Sequence, residues 1–202
     1  MKFSPNTVLF AGCGGHSSEI KAIFCKISNK KIVHFVTSKK YSENDKSCIY
    51  LEEDVKSLFD INSNFVLATG GSKLRCKFYN KLTKLGGIVN TVISKTSIVN
   101  TDKSNLGCAL NIMDFVYLGP NSSVGTGSLL NTSCSIHHDA KIGEFVEIAP
   151  GARILGNATI GNQSLISTNS VIFPNVSIGE NSKIGAGVVV KNDIPADSII
   201  IS

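Results

Sequence analysis

The segment His137-His138-Asp139 sets two imidazoles beside a carboxylate. An imidazole titrates near neutrality, so it can take a proton from a protonated nucleophile. A carboxylate beside it can orient the ring and raise its basicity. A backbone N–H with no side chain in its way can stabilise an oxyanion, and Gly156, 18 residues after His138, offers one. Base, orienting acid and amide donor together suit acyl transfer. A second candidate is Gly12-Cys13-Gly14-Gly15-His16. Its N–H groups can meet phosphate at a helix start, with Gly14, Gly15 and His16 nearest the anion. An ordinary strand-to-helix turn is the plainer reading of the same residues. The histidine pair also leaves plainer readings open, a solvated corner residue and a metal site. Consecutive residues of extended chain point to opposite faces, which works against a metal, so no metal is expected. His137 reads as a surface or interface residue, and His34 as part of a sheet.

The chain that must position these groups has 202 residues, 42% of them hydrophobic and 17% charged, enough for a buried core. No apolar run reaches the ~18–20 residues of a membrane span, so no membrane partner is expected. The run TVLFA near the start is too short for a secretion signal, and Pro5 and Asn6 interrupt what precedes it. Six scattered cysteines without a CxxC spacing read as reduced thiols of a cytoplasmic protein, not as disulfides or a zinc site. Residues 1–100 carry 15 Lys and Arg against 7 Asp and Glu; residues 101–202 carry 5 against 8. The basic half favours an anionic small molecule. Its lysines are not grouped with aromatics on one element, so nucleic acid is not expected.

Two halves follow different periods. In residues 1–93, strands are expected at 7–10, 31–37, 65–69 and 89–93. Helices are expected at 17–24, capped by Ser17 or Ser18, at 52–59, and at 72–85, ended by Gly86-Gly87. Such alternation predicts a small parallel sheet covered by helices. From Leu106 aliphatic residues fall every sixth position to Val190, fifteen in register, usually with a small or β-branched residue four places on. A six-residue repeat predicts a parallel β-helix over 94–202. Three hexads make a triangular coil of 18 residues, and coils stack about 4.8 Å apart. His138 and Gly156 then share one corner line, and Thr168 and Ala186 share another.

The repeated I-G-x-x-x-x resembles the hexapeptide-repeat acyltransferases, whose coils wind left-handed; the usual crossover rule would give the other hand. The segment LLNTSCSIHHDAKIGEFVEIAPGARILG, with GCGGH before it and GGSKLRCKFYNKL between, narrows the likeness. It is similar to sugar acetyltransferases that carry a small nucleotide-sugar-binding domain ahead of a left-handed β-helix. Among them are N-acetyltransferases of UDP-linked 4-amino sugars and sialic acid O-acetyltransferases. The resemblance spans nearly the whole chain.

The resemblance implies an N-terminal Rossmann-like α/β domain and an acetyl-CoA-dependent N-acetyltransferase of a nucleotide-linked amino sugar, serving bacterial surface-glycan synthesis. Transfer to a sialic acid hydroxyl and a non-catalytic sugar-binding scaffold are the alternatives. His138 becomes the general base, Asp139 the acid that tunes it, and Asn131 a residue that holds the acceptor. Gly156 is expected to serve both catalysis and coenzyme, with Glu147, Thr168 and Ala186 along the coenzyme in a groove between subunits of a homotrimer. Three departures stand out. Thr37, Ser38, Lys39 and Lys40 occupy a place where the family often has acids that bind the nucleotide; Glu147 stands where it often has His; and the tail lacks the family's G-x-P-A-K ending.

Overall fold

The computed structural model describes residues 6–36, 48–50 and 55–201. The chain divides into two compact units, Met1–Gly70 with Leu74–Val92, and Gly71–Lys73 with Ile93–Ser202.

The first unit runs β1 (Thr7–Ala11), α1 (Gly15–Ile27), β2 (Lys31–Val36), β3 (Cys48–Tyr50), α2 (Val55–Phe59), β4 (Asn64–Leu67), α3 (Ser72–Lys84) and β5 (Ile88–Asn90). The strands are all parallel, in the order β3-β2-β1-β4-β5. Central β1 is buried along its whole length, as an unbroken apolar run must be when both sheet faces are covered. Phe10, Phe35, Phe65 and Phe78 are fully buried beside Ile20 and Leu82 of the helices.

Two expectations for this unit need correction, and one strand is additional to those expected. Helix α1 begins at Gly15, and its cap is Gly14, which makes no side-chain capping bond. Ser17 is therefore inside the helix, and its hydroxyl lies 3.1 Å from His34 Nδ1 instead of closing the helix end. The strand at residues 48–50 carried no sequence signal, being three residues in a polar stretch. The apolar run at 89–93 divides at Thr91: β5 ends at Asn90, and Val92–Ile93 pairs into a different sheet. Residues 37 and 52–54, expected at element ends, lie outside the described residues.

The second unit is a parallel β-helix of two-residue strands in three sheets. Register steps by 18, with Leu130 against Ile148, Ile136 against Ile154, and Ile142 against Ile160. Of the fifteen aliphatic residues expected to point inward, all from Ile112 to Val190 are buried; Leu106 is half-buried. Each fully buried aliphatic side chain contributes roughly 1.5–3 kcal/mol. The small residues between them are also inside, except Val188, which is half-buried. Buried Ser122, Ser128, Ser164 and Ser170 donate to carbonyl oxygens at 2.6–3.0 Å, which removes the cost of burying a hydroxyl. Burial pushes the Cys134 thiol far up from its ordinary value.

The β-helix is already coiling before the regular repeat starts at Leu106. Val99 pairs with Leu118, 19 residues on, so the first coil carries one extra residue, in a segment that includes a 3₁₀ turn at Lys103–Asn105. The last coil is short: Ile184 pairs with Ile200, 16 residues on.

One column of glycines has a steric cause. Gly107, Gly125, Gly143, Gly161 and Gly179 are 18 apart, and a Cβ at each would meet the neighbouring coil at 2.2–2.6 Å. Gly161→Ala places its Cβ 2.4 Å from the Glu180 backbone nitrogen. The expected cost is about 1–3 kcal/mol, as for overpacking elsewhere. Chemical denaturation checks it, and an unchanged midpoint would contradict the close approach.

Candidate active site

The corner at residues 137–140 follows the strand Ser135–Ile136. Ile136 is drawn inward, and the chain turns through Asp139, whose φ of 60° lies in the left-handed region. Asn and Asp tolerate that region better than most residues. On the outside of this turn, His138 Nδ1–H donates to Asp139 Oδ2 at 2.8 Å. Asn121 Nδ2, one coil before, donates to Asp139 Oδ1 at 3.2 Å. The Asp139 carboxyl is held below its ordinary 3.8, first by the hydrogen bond from His138 and next by that from Asn121. A lowered native value means that its stabilising effect is complete above 3.8 and fades as pH falls through the lowered value. Across neutral pH it is a carboxylate.

That bond fixes the ring. With Nδ1 carrying the proton, neutral His138 keeps its lone pair on Nε2. Gly156 is one coil on, and the ring edge lies against it: a Cβ at 156 would sit 2.5 Å from both Nε2 and Cε1. The Gly156 carbonyl accepts Asn175 N–H at 3.0 Å, whereas its own N–H has no hydrogen-bond partner among the described residues. His138 and Asp139 are 59% and 44% exposed, so the pair faces an open surface. Lone pair, carboxylate and spare amide donor therefore converge at one corner, an arrangement able to accept a proton and stabilise negative charge together.

The other candidate residues of this unit lie elsewhere. Asn131, Thr168 and Ala186 sit at the next corner, across the strand Ser135–Ile136 and its sheet neighbours. Asn131 Oδ1 accepts the N–H of Thr132 at 2.8 Å, and Thr168 O accepts Gly187 N–H at 2.9 Å. Ala186 lines a cavity of about 540 Å³ with Val189, Val190, Lys191 and Ile200. Glu147 is on the strand Glu147–Ile148, and its carboxylate accepts the N–H of Gly71 at 2.7 Å, within the same unit. His137 Nε2 lies 3.4 Å from Ser135 Oγ, with its ring near Tyr117.

In the first unit, Gly14, Gly15 and His16 form the turn from β1 into α1. A side chain at Gly14 or Gly15 would meet nothing within 4 Å, so the loop is open there. His16 Nδ1 lies 3.2 Å from Glu19 Oε2. Sheet order sets β1 beside β4, where the connections diverge to opposite sides of the sheet; parallel α/β sheets bind ligands at such a point. Arg75, fully buried, donates from Nη1 to Thr69 O at 2.8 Å and secures the loop after β4. Sequence reading passed over this arginine, which stands between Lys73 and Lys77 in the glycine-opened helix GGSKLRCK. Residues 37–40 lie outside the described residues. Among the described residues, no group of three or more His, Cys, Asp or Glu could hold a metal ion, and no helix is long and apolar enough to cross a membrane.

Comparison with known proteins finds two family matches. Residues 7–82 match the PglD N-terminal domain, and residues 157–192 match the bacterial transferase hexapeptide (six repeats). Among solved structures, the chain is similar to a mutant of perosamine N-acetyltransferase from Caulobacter crescentus in complex with CoA and GDP-perosamine. The TM-score is 0.86 at 21% identity, over 97% of this chain and 93% of that one. It is also similar to the acetyltransferase domain of PglB from Neisseria gonorrhoeae in complex with acetyl coenzyme A, with TM-score 0.84, 23% identity and coverage of 96% and 97%. WeeI from Acinetobacter baumannii matches at TM-score 0.63 and 19% identity, over 97% and 96%. At these identities the likeness establishes the fold, a small α/β domain followed by a left-handed β-helix.

Gly156→Ala tests the corner without any assay of function. Its Cβ displaces the imidazole and breaks the His138–Asp139 bond, so the ¹⁵N shifts of His138 are expected to move toward those of a tautomeric mixture. Unmoved shifts in a folded variant would contradict the contact.

Proposed function

We propose that the protein is an acetyl-CoA-dependent N-acetyltransferase whose acceptor is the amine of a nucleotide-linked amino sugar. The observation that carries this reading is the His138–Asp139–Gly156 corner. Supporting it, structural relatives of the same two-part fold are a perosamine N-acetyltransferase captured with CoA and GDP-perosamine and an acetyltransferase domain captured with acetyl coenzyme A.

In this reading His138 Nε2 takes a proton from the acceptor ammonium, and the freed amine attacks the thioester carbonyl. Asp139 holds the ring in the tautomer that leaves Nε2 unprotonated and balances the imidazolium that forms. The Gly156 N–H donates to the oxyanion of the tetrahedral intermediate. On collapse the C–S bond breaks, the imidazolium returns its proton to the departing thiolate, and the amide nitrogen gives up its second proton to solvent. Residues 14–16 receive the diphosphate of the sugar nucleotide at the start of α1. Thr168 and Ala186 line the path of the coenzyme, and Asn131 serves the acceptor.

Asn131, Thr168 and Ala186 occupy a different corner from His138, so one chain does not complete this site. A homotrimer is the arrangement proposed to do so. The sheet between the two corners carries exposed Ile98 and Val189, with Phe173 at the end of its strand, an apolar face suited to a second copy. Light scattering is expected to return three times the 21.5 kDa chain mass; a monomer with full activity would rule the shared site out.

The activity itself is tested by HPLC with acetyl-CoA and a panel of UDP-, GDP- and dTDP-linked amino sugars alongside sialic acids. An N-acetylated sugar nucleotide is expected. An O-acetylated sialic acid would replace the proposal, and absence of any turnover would favour a binding scaffold. His138→Ala is expected to lower kcat at least ~10²-fold with the fold retained, the scale of general-base loss. Wild-type turnover in that variant would remove His138 from the chemistry.

A further inference from the structure

The loop that follows β1 is held on one side and open on the other. Gly12 N–H donates to Phe35 O at 2.8 Å. A Cβ at Gly12 would lie 2.7 Å from Ala68 O, and its φ is +120°, so glycine is required where the chain wedges between β2 and β4. Two residues on, the space above Gly14 and Gly15 is clear. The first turn of α1 has no acidic residue, and Gly14 at its cap makes no side-chain hydrogen bond.

His34 of β2 joins the two ends of this loop. Its Nδ1 lies 3.2 Å from Gly12 O and 3.1 Å from Ser17 Oγ. A carbonyl oxygen only accepts, so Nδ1 carries a proton and donates it toward Gly12 O, shared with the Ser17 hydroxyl oxygen. Ser17 is 1% exposed, and the Phe10 ring lies 5.8 Å from the imidazole, which together restrict the rotamer. One nitrogen thus spans the entry of the loop and the first turn of the helix, with residues 13–16 closed between them.

We propose that His34 is a positioning residue that presets residues 14–16 for a nucleoside diphosphate by tying Gly12 to Ser17. It touches no substrate; it removes freedom that the loop would otherwise lose on binding. The inference rests on the nucleotide-sugar reading for its ligand, whereas the tie itself is independent of it.

The test compares wild type, His34→Ala and His34→Asn, an amide that still offers an N–H donor. Amide exchange of residues 14–18 is expected to quicken roughly tenfold in His34→Ala, the scale of one or two lost hydrogen bonds. The amides of Leu9 and Val66 should be unchanged, and His34→Asn should recover most of the protection. Binding of UDP, GDP and dTDP by calorimetry is expected to weaken about tenfold for whichever binds wild type, with kcat at saturation unchanged. If His34→Ala does not fold, Ser17→Ala removes one partner and serves the same comparison. Unaltered loop exchange in a folded variant overturns the proposal. A loosened loop in a protein whose wild type binds none of the three nucleotides overturns the nucleotide-sugar reading instead, so the two failures are distinct.

Discussion

In the second unit, position along the chain modulo 18 decides which corner a residue occupies. Two interactions enforce that step. Backbone N–H groups donate to the next coil, as from Asn131 to Ile148, His137 to Ile154 and Gly143 to Ile160, all at 2.8–2.9 Å. The aliphatic side chains from Ile112 to Val190 fill the interior and cannot leave it without exposing apolar surface. A slip of one residue would turn isoleucine outward and the intervening polar residues inward, so the register is strongly specified. The pairing of His138 with Gly156 is a by-product of that rigidity. Neither residue seeks the other; the coils deliver them to one edge.

The two glycines flanking His138 have different causes. A Cβ at Gly119 would lie 2.7 Å from the backbone nitrogen of His138, a packing limit. A Cβ at Gly156 would strike the imidazole itself. Asp139 has a double reason too. Its corner line holds Asn121, Asn157 and Asn175, all with positive φ, so the backbone accounts for a short polar side chain there. It does not account for the acid. Only a carboxylate can accept from the imidazole on one oxygen and from Asn121 on the other, and the acid stands where a histidine precedes it.

Most of the β-helix was legible because its signal is repeated. Fifteen aliphatic positions in register outweigh any local ambiguity, and the step of 18 followed from three sides. The ends were not legible. One extra residue before Leu118 and two missing before Ile200 break the period while the coil continues, because hydrogen-bonded stacking tolerates a longer or shorter corner. The α/β unit was read from short apolar runs and lost detail where these misled. The serines near α1 looked like caps, yet a helix start can be left uncapped, and Ser17 answers to His34, a partner 17 residues away. Of the candidate site, His138, Asp139 and Gly156 came together since one rule links them. Asn131, Thr168 and Ala186 went to another corner by that same rule. The bond from the Glu147 carboxylate to Gly71 has no local sequence signature at all.

The most direct measurement is a crystal structure of the protein with CoA and an accepted amino-sugar nucleotide bound together. The acceptor nitrogen is expected within about 3.2 Å of His138 Nε2, with the coenzyme sulfur beside the Gly156 N–H. A complex with the sulfur and the amine gathered at any corner away from His138 would contradict the assignment, however well the rest of the fold agreed.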